Sequence, residues 1–151
     1  MPIFGSKDKS ENPSINIAMN CKLGTLPNGL AVNITQESDR LVIKPRIGKN
    51  APVEIRYSDL TACELMDETA IIQKSKSVIG RGIVGGLFLG PVGAIVGGMS
   101  GIGNKSSSHT DRYLIINYKD YSGDVQVASF KVVGATMSPD SFTSSLKRKI
   151  I

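Results

Sequence analysis

Val53-Glu54-Ile55-Arg56-Tyr57-Ser58-Asp59-Leu60-Thr61-Ala62-Cys63-Glu64-Leu65 is the stretch on which the fold turns. Val53, Ile55 and Tyr57 alternate with Glu54 and Arg56, the period of two that marks a strand with one apolar face. Ser58-Asp59 reads as a corner. Leu60 to Met66 reads as a second strand leaving it.

Short strands continue on either side. Upstream, Leu26-Pro27-Asn28-Gly29 is turn chemistry, because proline presets φ and Asn-Gly tolerates positive φ. Leu30 to Thr35 alternates and runs into the polar turn Gln36 to Asp39, and Arg40 to Lys44 returns. Gly48-Lys49-Asn50 makes the next turn. Downstream, Asp67-Glu68-Thr69 turns into Ala70-Ile71-Ile72-Gln73-Lys74. Strands resume at Tyr113 to Tyr118. A turn containing Ser122-Gly123 leads into the alternating run Val125 to Val132. The last element is a helix. Ser138 is a good N-cap, Pro139 suits the first helical position, and Asp140 complements the dipole. Phe142, Leu146 and Ile150 form one apolar stripe, with Lys147-Arg148-Lys149 as a solvated cationic cap. About six or seven antiparallel strands and one amphipathic helix predict a mainly β, α+β fold: a bent antiparallel sheet or partly open barrel with the C-terminal helix docked on it.

The chain has 151 residues, the size of one domain, with a net charge of +5. That mild excess suits an acidic partner or an anionic membrane surface. The N-terminus holds no apolar run long enough for a secretory signal, so a cytoplasmic protein is expected. Cys21 and Cys63 lack metal spacing and read as reduced thiols. Residues 1–18 are expected to be a disordered polar leader. Residues 19–151 form the domain, interrupted by 77–103.

The strand pair from Val53 to Leu65, the run Tyr113 to Tyr118, the Gly123 turn with Val125 to Val132, and the final helix together resemble the bacterial pleckstrin-homology-like proteins. The likeness extends to small bacterial and prophage-type proteins in which a glycine-rich hydrophobic segment interrupts such a domain. The resemblance implies a binding module, since that superfamily serves lipid, peptide and protein recognition.

The interruption is distinctive in itself. Ile83 to Met99 carries no charged residue. Gly82, Gly86 and Gly90 are spaced by four, as are Gly93, Gly97 and Gly101. In helices each set would line one face and let another backbone approach closely, the logic of a glycine zipper. Six glycines in helix interiors would cost about 5 kcal/mol relative to alanine, so such helices need a partner. A single helix from Ile83 to Gly103 would be about 31 Å long, enough to span a bilayer. Gly90-Pro91 breaks it in the middle, however. Cations on both flanks (Lys74, Lys76 and Arg81 before, Lys105 after) favour both ends on one side. The expected form is an inserted glycine-rich helical hairpin over Ser77 to Gly103.

Signs of catalysis are weak. Gly80 to Gly85 fits G-x-G-x-x-G, but no acidic residue follows about twenty positions on, as a dinucleotide site needs. Gly98 to Ser106 misses the phosphate-loop spacing, because Asn104 separates Gly103 from Lys105. His109 stands alone in a serine-rich stretch. No triad or metal spacing appears, so neither catalytic residues, metal nor cofactor is expected. Dispersed basic residues and few aromatics argue against nucleic acid.

The sequence therefore predicts a non-enzymatic interaction module. Gly82, Gly86, Gly90, Gly93, Gly97 and Gly101 would form the contact ridge, with Leu87, Phe88, Leu89 and Ile95 supplying apolar surface. Lys74, Lys76, Arg81 and Lys105 would meet anionic lipid on the inner face of a cell membrane. Self-association into a homo-oligomer is the other use of such a ridge. The alternative is a soluble adaptor, phage- or defence-related, that binds a peptide or protein at a sheet edge while its hairpin packs on its own domain.

Overall fold

The computed structural model describes residues 12–71, 83–84, 87–88, 111–133 and 138–150. Its strands are β1 (Ser14–Met19), β2 (Ala31–Gln36), β3 (Arg40–Pro45), β4 (Val53–Arg56), β5 (Leu60–Asp67), β6 (Ile83–Val84), β7 (Leu87–Phe88), β8 (Arg112–Lys119) and β9 (Val125–Val132). One helix, α1 (Pro139–Lys147), follows.

Seven strands form one sheet in the order β4-β3-β2-β1-β9-β8-β5. Every neighbouring pair is antiparallel. Ile55 of β4 and Leu60 and Cys63 of β5 stand at opposite edges of this order, yet share one buried cluster with apolar residues of every strand between them. The sheet must therefore curl round a single core. The expected bent, mainly β architecture with a C-terminal helix is present.

Helix α1 packs on β5 and β1. Phe142 and Leu146, one helical turn apart, are fully buried in the core. Ile150 lies past the end of the helix and packs only partly against the core. A buried amide fixes the helix in place. Gln36 Nε2 donates to the Phe142 carbonyl at 3.0 Å. Its Oε1 accepts from Ser145 Oγ at 2.9 Å and Lys149 Nζ at 2.8 Å.

Several sequence expectations need correction. The leader assigned to residues 1–18 ends sooner, because Ser14–Met19 is a strand between β2 and β9. Ile15, Ile17 and Met19 fill the core while Asn16 and Ala18 face outward, a clean alternation beside a polar, proline-containing flank. Gln36 belongs to β2, not to the following turn, and is buried. Tyr57 does not continue β4. It opens a 3-10 turn, Tyr57–Asp59, that forms the corner. The turn expected at Asp67-Glu68-Thr69 is a helical one over residues 68–71. Asp67 explains this, since its Oδ1 accepts from the Ala70 amide at 2.7 Å, as an N-cap does. The cationic tail is not merely solvated. Lys147 pairs with Glu64, and Lys149 reaches Gln36 and stands 5.5 Å from the Tyr57 ring centre.

Candidate functional site

The glycine-rich interruption begins and ends at one point. β5 and β8 pair in register from Cys63↔Ile116 to Asp67↔Arg112. One further bond, from the Glu68 amide to the Asp111 carbonyl at 2.9 Å, extends the ladder. The 42 residues between these ends (69–110) therefore leave and return side by side. Arg112 is anchored in turn by Asp140 of α1 at 2.8 Å, and Asp111 by Lys131 of β9 at 3.2 Å. These exposed pairs contribute little stability individually, but they tie the base of the insertion to its neighbours.

Beyond the helical turn that ends at Ile71, the described backbone of the insertion is extended. Ile83 pairs with Phe88 and Val84 with Leu87 in an antiparallel ladder. A helical arm through these four residues is thereby corrected. β-branched Ile83 and Val84 favour a strand, and glycine disfavours helix. Leu87 and Phe88 thus lie on β7. Gly82, Gly86, Gly90, Gly93, Gly97, Gly101, Leu89 and Ile95 lie outside the described residues, as do Lys74, Lys76, Arg81, Lys105 and His109.

The sheet beside this root has an unusual second core. Leu114 and Ile116 of β8 point into the main core. Tyr113 and Ile115, which alternate with them, belong to a separate cluster with Met66 and Ile71, against which Ala62, Ala70 and Val127 pack. β8 is thus buried on both faces. Burial pushes the Tyr113 phenol up to about 12, with Asp111 and Glu68 adding to the shift.

A second feature was not legible as a cluster in the sequence. The β1–β2 and β3–β4 connections are stitched together. Thr25 Oγ1 donates to the Ala51 carbonyl at 3.0 Å, and Asn50 Nδ2 donates to the Thr25 carbonyl at 2.7 Å. Lys22, Arg46 and Lys49 on these connections, and Lys44 at the end of β3, are all exposed. Ile47 stands among them with 72% of its surface in water. Residues 12–36 and 41–53 contain no aspartate or glutamate. That acid-free spacing is the signal that would have found the patch.

A groove of about 650 Å³ lies between β4, the edge strand among the described residues, and the β8–β9 turn, with Leu23, Val53, Arg56, Asp59, Tyr118 and Tyr121 on its walls. Asp120 builds that turn. Its Oδ1 accepts from the amides of Ser122 and Asp124 at 2.9 and 3.0 Å, and its Oδ2 from Gln126 at 2.8 Å. The bond from Gln126, with those backbone amides, holds its carboxyl below the usual range. Gly123 takes φ 88°, a conformation suited to glycine. Tyr121 is fully exposed at the tip. Charges of both signs line the groove, which suits a peptide better than a phosphate.

Neither thiol is set up as a nucleophile. Burial raises both, and Cys63 reaches about 12. Among the described residues no three His, Cys, Asp or Glu side chains gather as a metal site would require. Among them, too, no helix is long and apolar enough to cross a membrane.

Comparison with known families gives one match: the model for glycine zipper containing PH domains covers residues 19–131. No curated protein and no solved structure matches.

Proposed function

Since the chain belongs to the family of glycine-zipper-containing PH domains, whose PH fold is generally a non-catalytic interaction module, we propose that it attaches to an anionic membrane face through its zipper segment. The observation that carries this reading is the paired root. Asp67↔Arg112 and the Glu68–Asp111 bond return the insertion to its starting point. An apolar insertion with that root enters and leaves a bilayer on one side. Lys74, Lys76, Arg81 and Lys105 flank it, and cations on both flanks favour retention on the cytoplasmic side. Each such cation near an anionic surface contributes about 1 kcal/mol.

Self-association is the second use of the same segment. Its support is the four-residue spacing of Gly82, Gly86 and Gly90 and of Gly93, Gly97 and Gly101, which allows close backbone packing between copies. The adaptor reading draws its support from β4, the edge strand among the described residues, and the groove beside it, which suit an added peptide strand.

Vesicle flotation tests the proposal. The intact chain should float with vesicles rich in phosphatidylglycerol and stay behind with phosphatidylcholine alone. Replacing Gly86 and Gly97 by leucine should abolish binding while the circular dichroism of the β domain is unchanged. Undiminished flotation of that folded double variant would remove the zipper from the account. Flotation lost only on replacing Lys44, Arg46 and Lys49 by glutamine would move attachment to the loops.

A further inference from the structure

The backbone of β4 shows which of its polar groups look away from the sheet. The Tyr57 amide donates to the Asp39 carbonyl at 3.2 Å, one step beyond the Arg40↔Arg56 pair. Along an antiparallel ladder, residues alternate between bonding to the partner strand and pointing away from it. Ile55 and Val53 therefore bond to Leu41 and Ile43 of β3, their partners in the register. The amide and carbonyl of Glu54 and the amide of Arg56 point the other way. Both residues line the groove beside the β8–β9 turn.

The side chains alternate too. Val53 and Ile55 pack against the main core, while Glu54 and Arg56 are exposed. The carboxylates of the groove are already engaged. Glu54 holds Arg40 at 2.6 Å, and Asp120 holds its own turn. Asp59 reaches Arg56 only at 3.9 Å, and among the described residues Lys119 has no ion pair. The charged donors left over are thus cationic, in a chain whose net charge is +5.

We propose that this groove takes an extended acidic peptide of a partner protein, added as a strand along β4. Residues opposite one another on paired strands share a face. Apolar residues of the peptide face the side of Val53 and Ile55, and the acidic residues between them reach Arg56 and Lys119. Half-buried Tyr118 and exposed Tyr121 wall the far side. This assignment rests on the adaptor reading and gives it a ligand chemistry.

Selection from a displayed library of random linear peptides on the intact chain tests it. Enriched sequences should alternate apolar and acidic residues. Glu54→Pro removes an outward amide without costing a bond to β3, as an edge strand tolerates. By fluorescence polarisation, Glu54→Pro and Lys119→Glu should each weaken the most enriched peptide at least about tenfold, the scale of one lost hydrogen bond or ion pair. Should Glu54→Pro fail to fold, Lys119→Glu on the exposed turn still decides. The same peptide with its acids changed to lysine should prefer the Lys119→Glu chain. Enriched peptides without acids, or ones that bind folded variants undiminished, would overturn the assignment and leave the adaptor reading standing. No enrichment at all would remove both. A dimer of the chain that Glu54→Pro dissolves would show the edge taken by a second copy, and would overturn the peptide.

Discussion

Gln36 shows how much one side chain can organise. Its amide is spent on α1: one donor to the Phe142 carbonyl, and one oxygen shared by Ser145 and Lys149. Gln36→Ala leaves a buried carbonyl without that donor and should lower stability by about 1–3 kcal/mol in denaturant unfolding. Gln36→Glu keeps the acceptor for Lys149 but loses the donor, so it should not restore the wild-type value. Asp120 acts at the same scale in the β8–β9 turn. Its folded carboxyl titrates below the ordinary value of about 4, so its contribution is complete above that value and is lost as pH falls through the lowered one. Amide signals of Ser122 and Asp124 should therefore shift together on acidification, with a midpoint below that of a free aspartate. A midpoint at or above the free value would contradict the cage. Neither role was legible in sequence, because Gln36 beside Glu37-Ser38-Asp39 looks like one more polar turn residue.

At the scale of elements, legibility followed period. β4, the corner, β5, β8 and β9 could be read from alternation, and α1 from its cap and stripe. β1 alternates just as cleanly, but Asn12-Pro13-Ser14 makes its entry look like a tail. The helical turn at 68–71 depends on Asp67 acting as a cap, which the apolar run Ala70-Ile71-Ile72 conceals. β6 and β7 fail for another reason. Four-residue glycine spacing has the period of a helix, yet glycine disfavours helix, and a Gly-Gly pair between β-branched and bulky residues also suits a hairpin. The stripe on α1 gives a graded test. Phe142→Ala should cost about 3–5 kcal/mol by emptying a filled site in the core. Ile150→Ala, at a half-buried position beyond the helix, should cost clearly less. Equal losses would mean that the helix does not plug the sheet as described.

For the molecule as a whole, one long sheet wraps a core closed by a helix, and one hairpin connection has grown into an apolar insertion. Short β-hairpin connections need only a few residues, so an uncharged tract of this length in that place calls for a role beyond joining β5 to β8. The cationic loops and the edge strand β4 belong to the curled sheet and not to the insertion, so the sheet and the segment can be tested apart. The most direct measurement is light scattering coupled to size exclusion, run alongside vesicle flotation. It compares the intact chain with one in which residues 77–103 are replaced by a short polar turn. The account predicts a replaced chain that is a folded monomer and neither floats nor assembles, and an intact chain that floats with anionic vesicles. A replaced chain that binds vesicles as well as the intact one, or an intact chain that is monomeric and indifferent to lipid, would contradict it.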